Sequence, residues 1–265
     1  MMMLREESRI AVGAVREALA AAHAGAAGVR VEAKGALDVV TDVDVRVEDV
    51  VRGVLRRELG DDAAVLGEER GGADVGAGGT FWVVDPICGT RNFASGTPLW
   101  CVNLALVEDG AVTAAVVGDP SRGDELVVAQ RGEGAWALTG GGDDEDGTRL
   151  SVSRASETVA FEDSHSAGPE RERCARYVGA LIRAHAYELR SLSTSLTLPY
   201  LAAGRVAAYT MFWTSAIHAA AGAFVAAEAG AVVTDLDGAP YGIASSSLLA
   251  AADAALHAEL LALAA

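Results

Sequence analysis

Asp85-Pro86-Ile87-Cys88-Gly89-Thr90 sets a carboxylate, a thiol and a hydroxyl within six residues. Upstream stand Asp44 and the pair Glu68-Glu69, and far downstream stands His218. Carboxylates bind hard cations such as Mg²⁺, whereas thiolate and imidazole suit Zn²⁺ and other transition ions. A thiolate beside an imidazolium is also a nucleophile pair. Each residue has a structural alternative. A single cysteine is ordinarily a small buried hydrophobe, and a single histidine a satisfied helix residue. Asp44 can cap the helix that starts near it, Thr90 can close a turn, and Glu68 can be an exposed strand end.

These residues need elements to aim them. Helical spacing runs over residues 4–24 and again over about 41–59, where Val47, Val50, Val51, Val54 and Leu55 share an apolar side. Thr41 is a suitable N-cap, with Asp44 three residues on as in a capping box. Short apolar runs at 63–66, 80–84, 101–107, 111–117 and 125–129 read as strands, with Glu108-Asp109-Gly110 as a hairpin turn. The first half therefore reads as two helices on a mostly antiparallel sheet.

Residues 138–148 form a polar, Gly-rich stretch, which sets the boundary between an N-terminal α+β half (1–140) and a C-terminal α/β half (149–265). Its acidic cluster reads as a solvated turn rather than a calcium loop. Beyond it the pattern predicts helix 169–186, helix 194–203, strand 206–211, helix 217–229, strand 231–234 and helix 253–264. The Ala-rich tail over 248–265 reads as a packed amphipathic helix.

The chain has 265 residues, 51% of them hydrophobic and 22% charged, a globular composition. A formal net charge of -16 argues against nucleic acid or an anionic membrane as partner. An anionic small substrate then needs a local cation or backbone N–H groups. Three cysteines, an odd and sparse set, suit a reducing, cytoplasmic compartment. No apolar run reaches the roughly 18 residues of a membrane span.

The segment Asp85–Phe93 resembles the Asp-Pro-Ile-Asp-Gly-Thr-x-Asn-Phe signature of the inositol monophosphatase superfamily, with Cys88 in place of the second carboxylate. Asp38–Glu48 is similar to that family's Val-Thr-x-x-Asp-x-x-Val-Glu segment, Gly67-Glu68-Glu69 to its Gly-Glu-Glu, Gly132-Glu133-Gly134-Ala135 to its Gly-x-Gly-Ala turn, and Glu228-Ala229-Gly230 to its Glu-Ala-Gly-Gly. The resemblance covers nearly the whole chain. It implies a layered α/β/α/β/α sandwich with the site at the junction of the halves, a homodimer, and metal-assisted hydrolysis of a small phosphate monoester. Carried over, Glu68, Asp85 and the carbonyl of Ile87 hold a Mg²⁺ ion, and Asp44 with Thr90 orients and deprotonates the attacking water. The N–H groups of Gly89 and Thr90 take phosphate oxygens.

The family's second metal site also uses an Asp that lies ten residues before the Glu of Glu-Ala-Gly, and that position is His218 here. A rival alignment on Trp213-Thr214 requires four extra residues inside a packed helix. A second Mg²⁺ on Asp85, Cys88 and His218 is thus disfavoured, and three readings stay open. A phosphatase persists with one Mg²⁺, or with Zn²⁺ on Asp85, Cys88 and His218; the pocket serves another reaction through Cys88 and His218; or the chain is a non-catalytic pseudophosphatase. Near residue 190, either Ser193 faces substrate or Thr194 caps a helix. The family's Gly-x-x-Asp reads Gly204-Arg205-Val206-Ala207, without its acidic contact for a polyol. Asn103 and Trp100 line the pocket or belong to the core.

Overall fold

A computed structural model describes residues 3–33, 39–139, 147–163 and 168–265. The N-terminal helical pattern forms α1 (Glu6–Gly25), which buries Ala11, Val12, Val15, Ala18, Leu19 and Ala22. A short hairpin, β1 (Val31–Ala33) with β2 (Val39–Thr41), leads into α2 (Asp42–Leu59). The capping box forms: the Thr41 side chain accepts from the N–H of Val43 and Asp44, while the Asp44 carboxylate accepts the Thr41 N–H. Val47, Val51, Val54 and Leu55 are buried, as their spacing predicts.

Next come β3 (Val65–Gly67), β4 (Gly71–Gly72), β5 (Thr80–Cys88), the short α3 (Thr90–Ala94), β6 (Cys101–Glu108), β7 (Ala111–Asp119), β8 (Glu125–Gln130), β9 (Gly134–Leu138) and β10 (Gly147–Arg149). They make an eight-stranded sheet in the order β10-β9-β8-β7-β6-β5-β3-β4, antiparallel except for β3 beside β5. Asp109 and Gly110 both take positive φ, 49° and 79°, which matches a primed two-residue turn to the strand twist. β9 and β10 were not anticipated, and β10 carries the first sheet up to residue 149. The acidic cluster of the predicted boundary, residues 140–146, lies outside the described residues.

The remaining elements are β11 (Thr158–Glu162), α4 (Pro169–Ala184), β12 (Glu188–Arg190), α5 (Thr197–Ala202), β13 (Ala208–Met211), α6 (Ala216–Glu228), β14 (Val232–Thr234), β15 (Leu248–Ala251) and α7 (Ala254–Ala264). The second sheet runs β12-β11-β13-β15-β14, parallel at β12-β11-β13 and antiparallel beyond. The expected helix 253–264 forms as α7, capped by the Asp253 side chain accepting from Ala255 and Leu256, but the helix does not extend back over the tail, because Leu248–Ala251 is a buried strand. Four fully buried apolar residues in a row suit an inner strand as well as a helix.

Four apolar clusters stack the layers. α1 and α2 pack on one face of the first sheet through Val15, Leu19, Val47, Leu104 and Val116. Its other face meets α6 through Val83, Ala105, Val117, Ala220 and Val225. α5 and α6 then cover the second sheet with Leu198, Leu201, Ala219 and Ala223 against Tyr209 and Ala250. α4 and α7 close the far side with Tyr177, Leu181, Leu256 and Leu260. The result is an α/β/α/β/α sandwich. No helix among the described residues is long and apolar enough to cross a membrane.

Candidate functional site

A β-bulge in β5 aims the central pair of side chains. Asp85 pairs with Asn103 and Cys88 with Cys101, so β5 advances three residues while β6 advances two. Pro86, which has no N–H for the ladder, falls in the extra length. On a regular strand, residues three apart face opposite ways. The extra residue changes the parity: Ile87 joins Val84 in the core under α1 and α2, and Cys88 joins Val83 in the core under α6. Asp85 and Cys88 thereby share the α6 side, where α6 brings His218.

Asp85, Cys88 and His218 each offer a ligand atom within 4.8 Å of the other two. His218 Nδ1 lies 3.0 Å from Asp85 Oδ2. Asp85 is fully buried, and its Oδ1 has no hydrogen-bond partner among the described residues. Burial disfavours the charged imidazole, but hydrogen bonds to Asp85 and Cys88 outweigh it and hold His218 well above its ordinary pKa. The Cys88 sulfur accepts from the Ser195 hydroxyl at 3.0 Å and the Ser195 N–H at 3.3 Å. Even so, hydrogen bonding with Cys101, burial and the Asp85 charge push the thiol well above its usual pKa. The surroundings thus favour the protonated imidazole at His218 and the protonated thiol at Cys88. A ready thiolate, as the nucleophile reading requires, does not match this environment.

Asp44 and Thr90 meet at the adjacent edge. Thr90 Oγ1 lies 3.1 Å from Asp44 Oδ1 and 3.0 Å from the carbonyl oxygen of Ile87, so its hydroxyl can donate to either. Burial of Asp44 raises its pKa from 3.8 to about 6 against the opposing hydrogen bonds of Thr41 and Thr90. A carboxyl tuned this way exchanges protons near neutrality, as a general base must.

Glu68 is half-buried in the turn after β3. Because Gly67 pairs with Val84, that turn lies alongside Asp85, though the Glu68 carboxylate is not one of the three mutually close ligand groups. The turn is held by Glu48, fully buried, which accepts the N–H groups of Glu69 at 2.7 Å and Arg70 at 3.2 Å and pairs with Arg52 at 2.8 Å. Glu48 and Gly67 belong to separate sequence motifs, and the fold brings them into contact.

Gly89 stands at the N-cap of α3 with φ 99°, and a Cβ there would stand 3.0 Å from the Leu99 carbonyl oxygen. Asn92 fixes this loop by donating to Leu99 and Leu192 carbonyls, both at 2.7 Å. Ser193 is exposed, with φ 53°. Thr194 does not cap a helix from residue 194, as the cap alternative had it. α5 starts at Thr197, and the Thr194 hydroxyl donates to the Cys88 carbonyl at 2.9 Å and accepts from Leu196. Trp100 stacks edge-on against Phe93 at 5.1 Å in the α1/α2 core, away from the pocket. Asn103 donates to Ser195 Oγ at 2.9 Å, a link to Cys88 that spacing alone did not reveal.

The unpaired Asp85 Oδ1, the Ile87 carbonyl and the nearby Glu68 turn suit a hard cation. The neighbouring donor set does not: a sulfur and a ring nitrogen are poor Mg²⁺ ligands.

The layering makes the chain a five-layered α/β/α/β/α sandwich, with its polar cluster at the bulged strand β5. It matches the inositol monophosphatase family over residues 3–265 and belongs to it. A histidinol-phosphatase of Mycobacterium tuberculosis is 36% identical over 233 residues, 85% of this chain and 86% of that protein. The Nus factor SuhB of Xylella fastidiosa is 36% identical over 211 residues, 78% of this chain and 72% of that protein. The inositol monophosphatase structure from Anabaena superimposes with a TM-score of 0.78 at 27% identity, covering 97% of this chain and 94% of that one. The IMPase structure from Thermotoga maritima gives a TM-score of 0.84 at 24% identity, covering 98% and 97%, and supports the fold.

Proposed function

We propose that this chain is a diverged phosphomonoesterase of a small anionic metabolite, with impaired two-Mg²⁺ turnover. The contact between Asp44 and Thr90 carries the reading. A hydroxyl set between a carboxylate and the Ile87 carbonyl can take a proton from water and pass it to Asp44, whose pKa of about 6 suits that task. Glu68, Asp85 and the Ile87 carbonyl would hold one Mg²⁺, which when bound neutralises phosphate charge and lowers the pKa of water. Gly89 and Thr90 N–H groups would take phosphate oxygens, and Ser193, at the exposed rim, would meet the rest of the substrate. Impairment follows from Cys88 and His218, which cannot replace two carboxylates around a second Mg²⁺.

The reading also has the site where an N-terminal half meets a C-terminal half, between the first sheet and α6, in a cytoplasmic homodimer. The names of the relatives suggest the first substrates: histidinol phosphate and inositol 1-phosphate. The test is phosphate release from a panel of small monoesters with Mg²⁺, comparing the wild type with Asp44→Asn. Slow release that Asp44→Asn abolishes supports the proposal. Release that Asp44→Asn leaves intact, or no release from any ester, overturns it.

A further inference from the structure

We infer that Asp85, Cys88 and His218 form a tridentate site for one Zn²⁺ ion, in place of the hard-cation site their positions would otherwise build. Tetrahedral zinc with bonds of roughly 2.0–2.3 Å holds its ligand atoms about 3.3–3.8 Å apart. The three ligand groups here lie within 4.8 Å of one another, and Asp85 Oδ2 to His218 Nδ1 is 3.0 Å. Small side-chain shifts close the set. An aspartate and a thiolate, with a neutral imidazole, balance a dication in a buried place, where leftover charge is costly.

A second set of observations points to a metal-bound sulfur. Ser195 offers Cys88 Sγ both its N–H and its hydroxyl. The orientation of that hydroxyl is set from behind, because Asn103 Nδ2 donates to Ser195 Oγ at 2.9 Å and leaves the hydroxyl hydrogen for the sulfur. Such outer hydrogen bonds orient metal ligands and spread thiolate charge. Asp85 Oδ1 is buried and without a hydrogen-bond partner among the described residues, so the carboxylate has coordination capacity to spare. The His218 side chain is 26% exposed, so the cluster reaches solvent at His218. Three protein ligands and an open fourth position are the arrangement of catalytic rather than structural zinc.

The inference is independent of the phosphatase reading, and its test reads binding rather than turnover. The full chain, stripped with chelator, is titrated with Co²⁺ as a spectroscopic stand-in and then with Zn²⁺. The expected result is one Co²⁺ per chain with a near-ultraviolet thiolate-to-cobalt charge-transfer band, bleached by one equivalent of Zn²⁺. Cys88→Ser removes the band, Cys101→Ser and Cys174→Ser keep it, and Ser195→Ala weakens Zn²⁺ binding by about 10–100-fold, as loss of an outer hydrogen bond does. Cys88→Asp guards against a folding artefact: it binds Co²⁺ without the band. The inference is overturned by a wild type that shows no thiolate band, or by a band that survives in a natively folded Cys88→Ser chain.

Discussion

Glu48 occupies the space that a side chain on Gly67 would need. A Cβ on Gly67 would stand 2.1 Å from Glu48 Oε1 and 2.3 Å from its carboxyl carbon. No ordinary contact is that short, so Gly67→Ala must move the carboxylate or the strand. Glu48 is the buried acceptor for the Glu69 and Arg70 N–H groups. Displacing it strands these donors and leaves Arg52 only its bonds to the Val65 and Gly71 carbonyls. We expect Gly67→Ala to cost about 2–4 kcal/mol in urea unfolding and to lower any Mg²⁺ affinity by shifting Glu68. Unchanged stability would show that the turn does not depend on this contact.

With the role proposed for Asp44, stability and activity should follow pH in opposite directions. Its folded pKa, about 6, lies above the ordinary 3.8, so the fold favours the protonated form. That contribution is fully present below about 3.8 and is lost as pH rises through about 6. Compared with Asp44→Asn, the wild type should lose up to about 3 kcal/mol of stability over this window. On the role proposed for Asp44, hydrolysis should rise through the same window. Parallel denaturant melts and rate profiles read both, and identical pH dependence in wild type and variant would refute the assignment.

Restoring carboxylates should restore Mg²⁺ chemistry. Cys88→Asp places an acceptor where Ser195 already points two donors, and His218→Asp removes the imidazole now bonded to Asp85. The double variant is expected to gain at least about tenfold in Mg²⁺-stimulated phosphate release, a barrier change of about 1.4 kcal/mol. Calorimetry should show a second Mg²⁺ bound. If the double variant folds and gains neither, the loss of carboxylates is not what limits the wild type.

Glu228 should matter for α6. At the end of that helix its carboxylate accepts the N–H of Gly132 at 3.0 Å and of Gly134 at 3.0 Å, tying the β8–β9 turn to the helix that carries His218. Glu228→Ala should cost about 1–2 kcal/mol, since bonds to a charged acceptor are worth more than neutral ones but this one is half-exposed. Hydrogen exchange should show the Gly132 and Gly134 amides opening faster, with the rest of the first sheet unchanged.

The motifs were readable in the sequence, but their meetings were not. Thr41 with Asp44 is local, four residues of one capping box, and spacing alone identified it. Glu228 with Gly132 is separated by 96 residues, and no periodicity links such positions. The same holds for Ser195 and Asn103, whose polar side chains are buried in the network behind Cys88. β9, β11, β12 and β15 were missed because they are short and apolar or lie at an edge, where alternation is weak. The tail deceived because four apolar residues precede a real helix, and composition does not mark where a strand becomes a cap.

The bulge at Pro86 has a consequence for how such a pocket diversifies. One added residue decides which way positions 85 and 88 look, and nothing in that decision depends on what donor atoms they carry. Backbone aim and elemental preference are thus separable traits. A descendant can trade oxygen for sulfur or nitrogen by point substitution, trying new ions while the strands and helices around them keep their places.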